Sequence, residues 1–148
     1  GATLEVEIGE VGGKDGVHAP GVRTRPDEAR AFAEATGTNL LAVAVGSSHA
    51  MTTRDATLDF DLITEIANAA QIPLVLHGSS GVSDPDLQRA VRAGMSKINI
   101  ATHLNNVFTH EIREALGANP KLVDPRKYIA PGRSAVATEV ARLLTLLG

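Results

Sequence analysis

The chain has 148 residues, 43% of them hydrophobic and 21% charged, a balance suited to one globular domain spanning 1–148 with a buried core. A net charge of -3, scattered basic residues and only four Phe or Tyr side chains exclude a nucleic-acid surface. With no cysteine there are neither disulfides nor thiolate ligands, and no apolar run approaches the ~18 residues of a membrane span. These features, with a start that lacks a secretory pattern, give the expectation of a cytoplasmic protein.

The first strand is expected over Thr3–Ile8, where Leu4, Val6 and Ile8 alternate with Glu5 and Glu7. A glycine-rich loop runs from Gly9 to about Arg25. Pro26, followed by Asp27 and Glu28, opens a helix that stops at Gly37. Leu40–Val45 is the second strand, apolar throughout, as befits a strand covered on both faces of a parallel sheet. Leu58-Asp59-Phe60 begins a helix with Leu62, Ile63, Ile66 and Ala70 at helical spacing. Ile72-Pro73-Leu74 leads into the third strand. Asp84-Pro85 caps the next helix, with Leu87, Ala90 and Val91 facing inward, and Gly94 ends it. Lys97–Ile100 is the fourth strand, with Asn99 inside it.

Thr102 starts a long helix with an inward stripe of Leu104, Val107, Phe108, Ile112, Ala115 and Leu116. An extended segment then reaches Asp124-Pro125-Arg126, and a last helix is expected from about Ser134 to Leu147.

The alternation predicts an α/β fold with parallel strands and right-handed crossovers. Two architectures accommodate it: an open doubly wound sheet, or four βα units of a (βα)8 barrel, about half of a fold that typically takes ~250 residues. Either places chemistry beyond the strand ends, and the polar residues gather there.

His49 follows Leu41–Val45 through Gly46-Ser47-Ser48, and His77 directly follows Leu74-Val75-Leu76. With Glu7 they offer two imidazoles and a carboxylate from neighbouring strands, a donor set that suits a divalent cation such as zinc. The alternative is that each histidine only hydrogen-bonds at the rim. Gly78-Ser79-Ser80-Gly81 and Asn99-Ile100-Ala101-Thr102 are two successive strand–helix junctions able to cradle a phosphate. Gly12-Gly13-Lys14-Asp15-Gly16 is either a lid carrying a proton-transfer acid, Asp15, or a solvated turn. Arg126 could reach a phosphate as a planar fork or pair with a surface acid. His18, His103 and His110 are expected to be surface or packing residues.

At these residues the chain resembles the metal-dependent, class II ketose-bisphosphate aldolases. Leu4–Gly9 is similar to their VEAELG strand, Leu41–His49 to LAVAIGTAH, Pro73–Val82 to PLVLHGGSGV, Lys97–Thr102 to KINIAT and Asp124–Tyr128 to DPRKY. The resemblance runs almost end to end but matches only the C-terminal half of the family's TIM barrel, so it implies four βα units plus a C-terminal helix.

The resemblance further implies that His49 and His77 bind Zn2+, with Glu7 at an alternative metal position. It implies that Gly78, Ser80, Asn99, Ala101 and Thr102 hold the dihydroxyacetone phosphate end of a phosphorylated ketose. Gly46 would lie beside that phosphate and a monovalent cation, Na+ or K+, while Arg126 reaches the far phosphate across a subunit boundary of a homo-oligomer. Ala101, where some members carry Asp, is closer to the tagatose-bisphosphate subgroup.

Three departures stand out. The family's Asp-His pair belongs to an N-terminal half-barrel, which this chain would need as a partner. The mobile loop is a residue shorter than the family's and lacks its Glu, leaving Asp15 as the nearest substitute. Ala50 replaces the glycine that usually follows the second histidine.

Overall fold

The computed structural model describes residues 1–12 and 22–148. Asp15, Lys14 and His18 therefore lie outside the described residues. The chain divides into two compact units, Gly1–Ile100 and Ala101–Gly148.

In the first unit, β1 (Glu5–Ile8), β2 (Leu40–Val43), β3 (Leu74–Leu76) and β4 (Met95–Ile98) form one parallel sheet in the order β1-β2-β3-β4. Helices α1 (Pro26–Thr36), α2 (Phe60–Ala70) and α3 (Asp84–Ala93) are the crossovers. Register aligns Glu7, Ala42, Val75 and Lys97 across the sheet. Side chains alternate along each strand, so Glu5 and Glu7 share one face and Val6 and Ile8 the other. Leu41, Val43, Leu74, Leu76, Ile63, Ile66 and Leu87 are fully buried and form the core.

Local signals account for the helix ends. Asp59 accepts from Leu62 N at 3.1 Å, and Ser83 caps α3 by accepting from Asp86 N at 3.3 Å. Gly37 ends α1 in the left-handed region at φ 61°. Two expectations shift here. Val91 is 37% exposed, because Leu87 and Ala90 already fill the face turned to the sheet. The fourth strand starts at Met95 and ends at Ile98, so Asn99 lies just beyond it rather than within it; an irregularity opposite Leu74 and Val75 displaces the register there.

Thr24 joins β1 to β2 beyond their paired residues. It is buried, its hydroxyl donates to Ile8 O at 2.8 Å and accepts from Ala44 N at 2.9 Å, and its own N–H donates to Ala44 O at 2.9 Å.

The second unit is the antiparallel pair α4 (Thr102–Ala118) and α5 (Pro125–Leu147). The last helix begins nine residues before the expected Ser134 and runs through Pro131. Asp124 caps it by accepting from Arg126 N, and Pro125 occupies its first turn. Gly132 is buried against α4: a Cβ there would lie 2.8 Å from the Phe108 ring. The α4 stripe is only half-buried, and Leu116 is exposed.

His103 is tied into this pair, its Nε2 lying 2.7 Å from Glu139 Oε1, while Arg142 donates to both Glu139 oxygens at 2.8 and 2.9 Å. The Arg142 guanidinium, helped by His103 and opposed by burial, holds the Glu139 carboxyl down to about 2 from an ordinary 4.5. The folded state thus binds this proton less readily than the unfolded chain. The stabilisation is complete above pH ~4.5 and is lost as pH falls towards 2. Glu139→Gln is expected to cost about 1–2 kcal/mol at pH 7 after allowance for solvent screening. In urea denaturation series the gap from wild type should hold down to about pH 5 and narrow below it.

Candidate metal and phosphate site

The site lies on the Glu5–Glu7 face and the loops at the C-terminal ends of β2 and β3. Glu7, His49 and His77 bring one ligand atom each to within 4.8 Å of one another. The imidazole centroids are 5.9 Å apart, edge to face at 62°. Nδ1 of His77 contacts Glu7 Oε2 directly, and Nε2 of His77 lies 3.2 Å from Glu5 Oε1.

Backbone bonds hold the two histidines in relation to each other. His49 N donates to Gly12 O at 2.6 Å, and Gly12 bridges Ser48 in parallel. The Ser47 hydroxyl donates to His77 O at 2.6 Å. Further along the same loop, Ala56 N donates to Gly81 O at 2.9 Å. Arg54 adds bonds to Val82 O at 3.0 Å and Asp84 Oδ1 at 2.5 Å. The loop after β2 is thereby docked on the loop after β3.

Gly78 makes this docking possible. Its φ is +65°, and a Cβ there would lie 2.6 Å from Ser48 C and 2.7 Å from Ser48 O. A 3-10 turn, Ser79–Gly81, follows; Ser79 is buried and its hydroxyl donates to the Asn99 carbonyl. Asn99 N in turn donates to Leu76 O at 3.0 Å. Gly78, Ser80 and Asn99 thus stand at adjacent strand ends, Ser80 and Asn99 both half-buried. Gly46 is exposed at φ +115°, and a Cβ there would lie 2.2 Å from the Thr57 carbonyl oxygen.

In the second unit, Ala101 and Thr102 open α4 with no side-chain cap. Arg126 is 88% exposed and donates to both Asp124 oxygens at 3.0 and 2.9 Å, the surface pairing that the sequence left open.

Two participants were not singled out from sequence. Glu5 lies one side-chain repeat before Glu7 on the same face, and alternation could have flagged it. Lys97 Nζ donates to Glu5 Oε2 at 2.5 Å across 92 positions of chain. The Lys97 ammonium, with His77 as a lesser contributor, holds the Glu5 carboxyl below its ordinary range.

The donor set suits a cation. Tetrahedral zinc with N and O bonds of ~2.0–2.1 Å spaces its ligands by about 3.3 Å. A cation held between Glu7, His49 and His77 would open the direct His77–Glu7 contact to that value.

A family model described as "Fructose-bisphosphate aldolase class-II" matches residues 1–148. Among solved structures, the YdjI aldolase of Escherichia coli K12 is 32% identical with a TM-score of 0.77, over 99% of this chain and 49% of its own. Fructose-bisphosphate aldolase (Fba) of Campylobacter jejuni also has a TM-score of 0.77, over 99% of this chain and 52% of its own. At 22% identity the latter speaks for the fold alone. The chain spans about half the length of the structures it matches.

Proposed function

Because the chain belongs to the class II fructose-bisphosphate aldolase family, we propose that it contributes one half of an enzyme that reversibly cleaves a ketose 1,6-bisphosphate. The products are dihydroxyacetone phosphate and glyceraldehyde 3-phosphate. The observation that carries this reading is the convergence of Glu7, His49 and His77 beside the Gly78–Gly81 turn.

On this reading His49, His77 and Glu7 hold a divalent cation such as zinc. The cation, when bound, supplies Lewis-acid polarisation of the ketose carbonyl. The chain's own groups do the remaining work. Gly78, Ser80 and Asn99 orient the phosphate and carbonyl end of the substrate through amides and hydroxyls, and Ala101 and Thr102 are assigned the same task from the helix start. Asp15 moves a proton, Arg126 meets the far phosphate in a homo-oligomer, and Gly46 borders a monovalent cation. Ala101 resembles the tagatose-bisphosphate subgroup, and the reading covers both the fructose and the tagatose ester. A further N-terminal half-barrel supplies the missing Asp-His pair and covers a sheet edge, and the assembled enzyme works in the cytoplasm.

The test is a retro-aldol assay on this chain alone and after mixing with an N-terminal half-barrel of the family. Cleavage is expected only in the mixture and should disappear on chelation. No cleavage in either case would instead identify a non-catalytic phosphosugar- or metal-binding half-barrel, or a structural subunit.

A further inference from the structure

We infer that Glu5 is a positioning residue for the cation site: held by Lys97 on one side, it takes the Nε2 hydrogen of His77 and so turns Nδ1 towards the cation. The inference rests on the reading that Glu7, His49 and His77 form a cation site.

An imidazole used as a ligand offers one nitrogen, and the hydrogen bond made by the other decides which. Here the two carboxylates of one strand face the two nitrogens of one ring. Glu7 meets Nδ1 and belongs to the converging donor group. Glu5 meets Nε2 at 3.2 Å and lies outside that group. Their spacing of two residues places both on one face of β1, so the strand itself sets the division of labour.

Lys97 gives Glu5 a fixed bearing. Its ammonium lies 2.5 Å from Glu5 Oε2, leaving Oε1 to His77. β1 and β4 are the outermost strands of the sheet. In a flat sheet, strands three spacings apart stand roughly 14 Å from each other. The Lys97–Glu5 bond therefore requires the sheet to curl, and it shares Glu5 with the ring it orients. A surface ion pair would require neither this span nor a shared histidine.

Cobalt(II) titration of the chain, followed by visible absorption and by calorimetry, tests the inference. Glu5→Gln is expected to weaken cobalt binding roughly 10–100-fold and to alter the absorption band. Lys97→Met, at a half-exposed position, should shift both in the same direction by less. Long-range proton–nitrogen NMR of the zinc-loaded chain should show the His77 ring carrying its hydrogen on Nε2 in wild type and losing that preference in Glu5→Gln.

Wild-type affinity, spectrum and ring tautomer in Glu5→Gln would overturn the inference while leaving the cation site standing. A wild-type chain that takes up no cobalt would overturn the site reading itself. Should Glu5→Gln fail to fold, as judged by circular dichroism, an unchanged affinity and spectrum in Lys97→Met would overturn the inference.

Discussion

His77→Ala is expected to lower zinc affinity by more than the roughly 10–100-fold that follows from losing a residue behind a ligand. The ring is one of three converging donors, and two groups depend on its position: Glu7 contacts its Nδ1, and Glu5 its Nε2. Removing it leaves one imidazole and one carboxylate, too few for the three protein ligands of an open zinc site. His49→Ala should behave alike, and the double variant should show no zinc binding.

Denaturation supplies a second readout. Zinc at about 100 times its Kd should stabilise wild type by ~2.7 kcal/mol and His77→Ala hardly at all. His110→Ala, at an exposed position on α4, is the control and should match wild type. Undiminished zinc affinity in His77→Ala would mean that the cation sits elsewhere.

A large effect on stability is expected at Gly78. Two terms act there: left-handed backbone costs a side chain ~1–2 kcal/mol, and the added Cβ would press on Ser48 backbone atoms at 2.6 and 2.7 Å. Backbone on a docked loop cannot swing aside as a flexible side chain can. Gly78→Ala should therefore lose about 4 kcal/mol or more and displace His49. Gly37 separates the two terms. Its φ of +61° is similar, but nothing lies within 4 Å of an added Cβ, so Gly37→Ala should lose only ~1 kcal/mol. Equal losses at the two sites in urea denaturation would refute the clash.

The sheet was legible in sequence because its physics is local. Leu40–Val45 is apolar throughout since both faces are covered, and the β1 carboxylates alternate since one face carries the site. The placement of the histidines just beyond β2 and β3 was legible for the same reason. The start of α5 was not. Pro131 and Gly132 weigh against a helix when taken alone, yet Asp124 caps it and Phe108 packs on Gly132, so tertiary packing outweighs propensity.

Alternation puts Glu5 on the Glu7 face, but its role depends on Lys97, and no pattern along the chain announces a bond between β1 and β4. Ala50 shows the reverse. Its resemblance-based oddity has a physical correlate: it adopts φ 59°, where glycine would rest without strain.

The sheet lists its strands in the order the ribosome makes them, each hydrogen-bonded to its immediate predecessor. Among the described residues no later strand lies between earlier ones. Further strand–helix modules could be appended at either flank without rethreading anything already in place. Module borders are therefore where such a fold can be lengthened with least disturbance to strands already paired.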